Sequence, residues 1–109
     1  MLITPDNSIY MGKWKNNIYH EEGTYLYADG ERYEGEIFEG MKDGVGKMYY
    51  INGDVYEGEW VEDCREGKGE MGYANGDRYV GEWKDNVPCG EGVYYSGIKV
   101  LAQGKFDNL

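Results

Sequence analysis

The pentapeptide Tyr-Glu-Gly-Glu-Trp at Tyr56–Trp60 decides the fold, because versions of it recur every 23 residues along the chain. Full copies begin at Tyr10, Tyr33 and Tyr79, and a degenerate copy begins at Ala102. A fixed period of this length is typical of stacked-repeat architectures, in which each unit is stabilised by its neighbours. The chain is therefore predicted to be a repeat domain without a central globular core.

The composition supports the same conclusion. A chain of 109 residues is at most one domain, and this one contains 12 tyrosines, 3 tryptophans and 18 glycines but few aliphatic residues. An elongated single layer needs broad, flat side chains on one face and small residues where backbones bend or approach each other. So many periodic aromatic residues are atypical of a disordered chain.

The predicted repeat boundaries follow the period. We expect one domain at 1–109, with a partial repeat at 1–9, repeats at 10–32, 33–55, 56–78 and 79–101, and a degenerate C-terminal cap at 102–109. Ile98, Val100 and Ala102 replace aromatic residues near this end, which is expected to be either a cap or a surface for self-association as a homodimer.

Each unit is predicted to contain two strands. In the second unit Tyr33, Gly35 and Ile37 alternate with glutamates, and a polar loop of about eight residues separates this strand from the next. Asp29-Gly30, Asn52-Gly53 and Asn75-Gly76 join the units and predict two-residue type I′ hairpins. The chain is therefore an antiparallel meander of hairpins. In the loops, Ile18, Met41, Cys64 and Val87 form a column that either shields one end of the sheet or arises by chance.

Glycine recurs at fixed points of the repeat, which indicates a geometric role. The predicted structural glycines are Gly12, Gly23, Gly30, Gly35, Gly46, Gly53, Gly58, Gly69, Gly76, Gly81, Gly92 and Gly104.

The pattern resembles the MORN (membrane occupation and recognition nexus) repeat. The resemblance rests on the pentapeptide, on Gly-x-Gly at 44–46, 67–69 and 90–92, and on Tyr-Ala-Asn-Gly-Asp at Tyr73–Asp77. It implies an all-β, elongated, single-layered antiparallel sheet of about ten strands, gently twisted, whose aromatic side forms a groove. It also implies a scaffold or adaptor role in cytoskeletal or membrane-junction assemblies, a possible dimer through a terminal repeat, and phospholipid binding as a debated property.

The aromatic face is the predicted partner-binding groove, because tyrosine and tryptophan are favoured at binding hot spots. Its residues are Tyr10, Trp14, Tyr25, Tyr27, Tyr33, Ile37, Met48, Tyr50, Tyr56, Trp60, Met71, Tyr73, Tyr79, Trp83 and Tyr94. The alternative is that these rings serve only as the core. On the groove hypothesis Gly58 leaves a notch between the rings of Tyr56 and Trp60, and Trp60→Ala weakens partner binding.

The opposite face is predicted to be acidic. Its residues are Glu34, Glu36, Glu57, Glu59 and Glu82. They either keep a tyrosine-rich sheet soluble or dock a basic protein segment. The net charge of −10 opposes binding to nucleic acid and disfavours docking to anionic phospholipid.

Catalysis has little support in the sequence. His20 is the only histidine, no zinc-spaced cysteine set or calcium-loop pattern is present, and we expect no catalytic residues, metal or cofactor. No apolar run approaches ~18 residues, and Cys64 and Cys89 are expected to be reduced thiols of a cytoplasmic protein, with cytoskeletal or membrane association as a possibility. Three functions stay open: a protein-binding scaffold, a phospholipid-binding module, and a regulatory accessory of an enzyme.

Overall fold

A computed structural model describes residues 2–3, 5, 7–12, 21–96 and 99–107. They form one antiparallel sheet of ten strands, in which each strand pairs with the next along the chain. The strands are β1 Leu2–Ile3, β2 Ile9–Gly12, β3 Glu21–Leu26, β4 Arg32–Phe38, β5 Met41–Tyr49, β6 Val55–Val61, β7 Cys64–Gly72, β8 Asp77–Lys84, β9 Val87–Ser96 and β10 Lys99–Asp107. The described part measures 43 × 24 × 19 Å and has no helix. The predicted single-layered meander of hairpins is confirmed.

The hairpins within a repeat are tighter than expected. Two residues at positive φ, Glu39-Gly40, join β4 to β5, and Glu62-Asp63 and Asp85-Asn86 join the equivalent strands. Positive φ at both positions is the mark of a type I′ turn. The predicted eight-residue loop is therefore wrong for the described repeats, because the strands continue through it to the turn.

The predicted loop column consequently lies in strands. Met41, Cys64 and Val87 are the first residues of β5, β7 and β9 and face the last residue of the preceding strand. Ile18 lies outside the described residues, as do Trp14 and His20.

The turns between repeats were predicted with the wrong geometry. In the connection from β5 to β6, only Gly53 has positive φ. The Gly53 N–H donates to the Tyr50 carbonyl and the Tyr50 N–H donates to the Asp54 carbonyl. This pattern fits a type I turn followed by a glycine bulge, which is the usual three-residue hairpin loop. Asn52 Oδ1 accepts a hydrogen bond from the Asp54 N–H at 2.9 Å, so the Asn-Gly pair serves the bulge.

A β-bulge interrupts each hairpin at the Gly-x-Gly motif. Between β4 and β5 the register shifts after the Gly35–Gly46 pair, and Gly44 adopts a φ of +103°. The Val45 N–H in this bulge donates to the Glu36 carboxylate at 2.7 Å. The side chain thus replaces the strand partner that the bulge removes.

A ladder of nine glycines crosses the sheet. Each member faces the next across a strand pair, from β2 to β10: Gly12, Gly23, Gly35, Gly46, Gly58, Gly69, Gly81, Gly92 and Gly104. A methyl group added to Gly46, Gly69 or Gly92 would overlap the phenol ring of Tyr33, Tyr56 or Tyr79. The glycines therefore make room for rings that lie against the sheet.

The C-terminal hairpin runs through the predicted cap boundary. β10 begins at Lys99 and pairs with β9 along its length, with an irregularity between Val100 and Ala102. The predicted turn at Ser96-Gly97 includes Gly97, which lies outside the described residues, as does Ile98.

Replacing a ladder glycine tests the contact with the ring. Gly69→Ala puts a methyl group into the Tyr56 ring, so we expect the free energy of unfolding to fall by about 3 kcal/mol, the upper end for overpacking. Gly72→Ala on the same strand is the matched control, because the nearest atom to its new methyl group is 3.9 Å away. Urea denaturation of both variants makes the comparison, and equal losses would contradict the role assigned to the ladder.

Candidate binding surfaces

Five aromatic rings pack edge to face along the sheet. In order they are Tyr33, Trp60, Tyr56, Trp83 and Tyr79, with centroids 5.0–5.6 Å apart and planes inclined at 81–88°. Each tryptophan lies between the tyrosine of its own repeat and that of the preceding one. Edge-to-face packing matches the electron-poor ring edge to the electron-rich face, so the row links successive repeats.

Hydrogen bonds hold these rings in place. The Tyr33 hydroxyl donates to the Glu36 carbonyl at 2.7 Å, and the Tyr56 and Tyr79 hydroxyls donate to the carbonyls of Glu59 and Glu82. Trp60 Nε1 donates to the Gly46 carbonyl at 3.1 Å. Burial is the largest cause that raises the pKa of the Tyr33 phenol well above its ordinary value of 10.0, and the Glu36 carboxylate raises it further.

Burial divides the predicted groove into two parts. Nine of its residues are at most 4 % exposed: Tyr10, Tyr33, Ile37, Met48, Tyr56, Trp60, Met71, Tyr79 and Trp83. They form the core, as the alternative to the groove hypothesis had it. The expected notch at Gly58 is wrong, because the Tyr56 hydroxyl lies over the Gly58–Gly69 pair. Trp60→Ala therefore perturbs the core before it perturbs any binding.

The half-buried tyrosines form the accessible part of the aromatic face. We call them the tyrosine row: Tyr25, Tyr27, Tyr50, Tyr73 and Tyr94. Tyr25 stacks on Tyr27 at 5.3 Å and Tyr73 stacks on Tyr94 at 5.8 Å. The Tyr94 hydroxyl donates to the Asp77 carboxylate at 3.2 Å. The row offers ring faces and hydroxyls whose positions are fixed by the core beneath.

Two cations cover the core, and the sequence interpretation missed both. Lys42 Nζ lies 5.1 Å from the Trp60 ring and 3.6 Å from the Asp63 carboxylate. Arg65 lies 5.1 Å from the Trp83 ring, and its guanidinium donates to the Tyr50 hydroxyl at 3.0 Å. Lys42 and Arg65 are 23 residues apart and face Ile37 and Trp60, so aligning the repeats would have identified them.

The predicted acidic face separates into structural and open carboxylates. Glu36, Glu59 and Glu82 each accept a hydrogen bond from a bulge N–H at 2.6–2.7 Å. Glu34 forms an exposed ion pair with Arg32 at 3.4 Å. Glu57 and Glu82 lie with Val80 along an open groove of about 680 Å³ floored by the glycine ladder from Gly69 to Gly104.

The side of the sheet opposite the tyrosine row also carries tyrosines. Arg32 lies over the Tyr49 ring at 4.1 Å and Arg78 over the Tyr95 ring at 4.3 Å. Since successive residues of a strand point to opposite faces, Tyr49 and Tyr95 are turned away from their neighbours Met48 and Tyr94. They provide matched controls for substitutions in the tyrosine row.

The repeated hairpins and their aromatic face define a repeat-built interaction module. The sequence profile of the MORN repeat matches residues 10–32, 33–55, 56–78 and 79–98. The chain therefore belongs to the MORN repeat family, whose repeats are generally protein- or membrane-interaction modules found in membrane and cytoskeletal contexts. No curated protein matched the chain significantly. The described residues contain no helix long and apolar enough to cross a membrane.

The buried phenols predict a loss of stability at alkaline pH. Burial raises the pKa of Tyr56 as well as that of Tyr33, while an unfolded tyrosine ionises near pH 10. Above pH 10 the unfolded state therefore binds fewer protons than the folded state, and the free energy of unfolding falls as pH rises. We expect urea denaturation between pH 8 and 11.5 to show this fall, with a shallower slope for Tyr56→Phe. A flat profile, or an unchanged slope in the variant, would contradict the assignment.

Proposed function

We propose that this chain is a non-catalytic protein-interaction module that binds a basic or amphipathic segment of a partner protein along the tyrosine row. The observation that carries the proposal is the half-burial of five tyrosines side by side on a rigid core. Tyrosine is favoured at binding hot spots because it combines a large flat surface with a polar tip and few rotatable bonds. In this row the core has already fixed the rings, which lowers the entropy lost on binding.

Charge supports a basic partner. The net charge of −10 steers a cationic segment toward the sheet and repels an acidic one. Along the row, carboxylates lie at the edge formed by the turns between repeats. Asp54 accepts a hydrogen bond from the Ala74 N–H at 2.8 Å, and Asp77 accepts one from the Tyr94 hydroxyl. Both acids therefore lie beside the aromatic surface that the partner would cover.

A non-catalytic role is supported by what the repeated carboxylates do. Glu36, Glu59 and Glu82 bond to backbone N–H groups of the bulges, so the architecture accounts for their recurrence. The groove beside Glu57 and Glu82 is open to solvent, whereas a general acid is usually tuned in a closed, water-poor pocket.

Protein binding is favoured over phospholipid binding because the described cations are engaged. Lys42 pairs with Asp63, Arg32 with Glu34, and Arg78 with Glu70. A membrane-docking surface needs a cluster of lysine and arginine facing the lipid. A soluble cytoplasmic protein attached to a cytoskeletal or membrane-junction assembly through its partner fits this picture.

The tyrosine row is tested with substitutions on both faces. Proteins captured from the native cell by the immobilised chain are identified, and the binding segment is then remade as a synthetic peptide. We expect Tyr50→Ser/Tyr73→Ser to weaken peptide binding at least ~10-fold, the effect of losing about 1.4 kcal/mol. Tyr49→Ser/Tyr95→Ser on the opposite face is the matched control and should change affinity less than ~3-fold. Isothermal titration calorimetry measures the dissociation constants.

Three results would overturn the proposal. One is an equal loss of affinity in the two double variants, which would mean that stability and not the surface decides binding. Another is an acidic captured segment. The third is co-sedimentation of the purified chain with anionic liposomes at physiological salt, lost on Tyr50→Ser/Tyr73→Ser, which would assign the row to phospholipid.

A further inference from the structure

The cations over the core define two equivalent aromatic wells. In the first well, Lys42 Nζ lies 5.4 Å from the Tyr27 ring, 5.9 Å from the Tyr33 ring and 5.1 Å from the Trp60 ring. In the second, Arg65 lies 5.6 Å from Tyr50, 5.9 Å from Tyr56 and 5.1 Å from Trp83. All these distances are within the range of a cation–π interaction. The repeat thus builds a site for a cation, and the chain supplies that cation itself.

The third repeat has the rings but a different residue at the cation's position. Tyr73 and Tyr79 correspond to Tyr50 and Tyr56 of the second well. Pro88 faces Trp83 as Arg65 faces Trp60, and a proline side chain is short and uncharged. Among the side chains that the structure describes, no lysine or arginine lies over the ring of Tyr73 or Tyr79.

Tyr73 is the reachable part of this third well. Tyr79 is fully buried, as are Tyr33 and Tyr56 in the other wells, whereas Tyr73 is half-buried and belongs to the tyrosine row. Tyr94 stacks beside it at 5.8 Å and extends the aromatic surface. In the second well the corresponding ring, Tyr50, receives a hydrogen bond from the Arg65 guanidinium at its hydroxyl.

Carboxylates complete the third well. The Asp77 carboxylate accepts the Tyr94 hydroxyl proton at 3.2 Å, and the Asp77 carbonyl accepts the Tyr73 N–H at 2.8 Å. Asp54 is bonded to the N–H of Ala74, the residue after Tyr73. A cation over Tyr73 would therefore have an aromatic face beneath it and two carboxylates at its side, which is a stronger site than a ring alone.

We propose that the third well binds an arginine or lysine side chain supplied by another protein, in the place that Lys42 and Arg65 take in the first two wells. The inference rests on the proposed protein-binding function and names the chemistry that the partner brings. Pro88 gives the site its specificity, because it leaves the Tyr73 ring for a cation from outside the chain. The module then recognises a basic segment by one anchored side chain as well as by overall charge.

The site can be tested on the isolated protein with a single side chain. The probe is N-acetyl-arginine amide at constant ionic strength, and its neutral isostere N-acetyl-citrulline amide is the matched control. NMR follows the ring protons of Tyr73 and Tyr50. We expect a saturable shift at Tyr73 with a dissociation constant on the order of 10 mM, the weak affinity of one side chain, and little change at Tyr50. Citrulline should give a shift at least ~10-fold smaller, because it lacks the charge.

Variants at position 88 make the test specific. Pro88→Arg provides the chain's own guanidinium, as at Arg65, so the response to the arginine probe should be lost. Pro88→Ala removes the proline without adding a cation and should keep the response. Tyr73→Leu should abolish it while Tyr50→Leu retains it. The amide spectrum and thermal unfolding of each variant establish that it is folded.

The outcomes separate this proposal from the one it rests on. Equal shifts from arginine and citrulline, or a Pro88→Arg variant that responds like Pro88→Ala, would overturn the third well even where partner capture depends on the tyrosine row. Selective arginine binding together with capture that is indifferent to the row would support the well and reject the row as the partner's main contact.

Discussion

The contact between a phenol ring and a pair of glycines governs this structure. The ring of Tyr56 lies across Gly58 and Gly69, and its hydroxyl reaches the Glu59 carbonyl. A side chain at either glycine would lift the ring from the backbone and break that hydrogen bond. The contact recurs at Tyr33 and Tyr79, so the glycine ladder, the buried tyrosines and the alignment of the strands depend on one another.

This contact explains how a single sheet acquires a core without a second layer. Because the tyrosines lie flat, the tryptophans can pack edge to face between them, and the row is fully buried although it is only one ring deep. Lys42 and Arg65 extend over this row as a partial cover. Long cationic side chains suit this place, since their stems cover apolar surface while their charged ends reach carboxylates, carbonyls or water. The cost of the solution is a polar cover where a two-layered protein has an apolar one.

The repeat period predicts much of the fold but little of the surface. It gives the number of strands, their antiparallel order and which residues share a face, because a register fixed by repetition leaves few alternatives. It misplaced the turns, since Glu62-Asp63 has no glycine and takes positive φ because the strand pairing requires it. It also placed Tyr56 and Trp60 on an open groove. Their burial depends on the tilt of the rings across neighbouring strands, and side-chain alternation along a strand carries no information about that tilt.

The two long edges of the sheet show how the repeats are joined beyond the core. On one edge, side chains of one turn bond to the backbone of the next: Ser8 to Ala28, Glu31 to Ile51, and Asp54 to Ala74. On the other edge Asp63 and Asn86 accept from the N–H groups of Lys42 and Arg65.

Interactions that serve the architecture must recur in every repeat, because each repeat has to be held to its neighbour in the same way. A residue that leaves the pattern inside a well-formed repeat is therefore free of that duty. Pro88 is such a residue: it lies in a regular strand pair with Trp83 on an intact aromatic face. In a protein whose sequence is dominated by structural repetition, these departures are where selection for a particular partner can act.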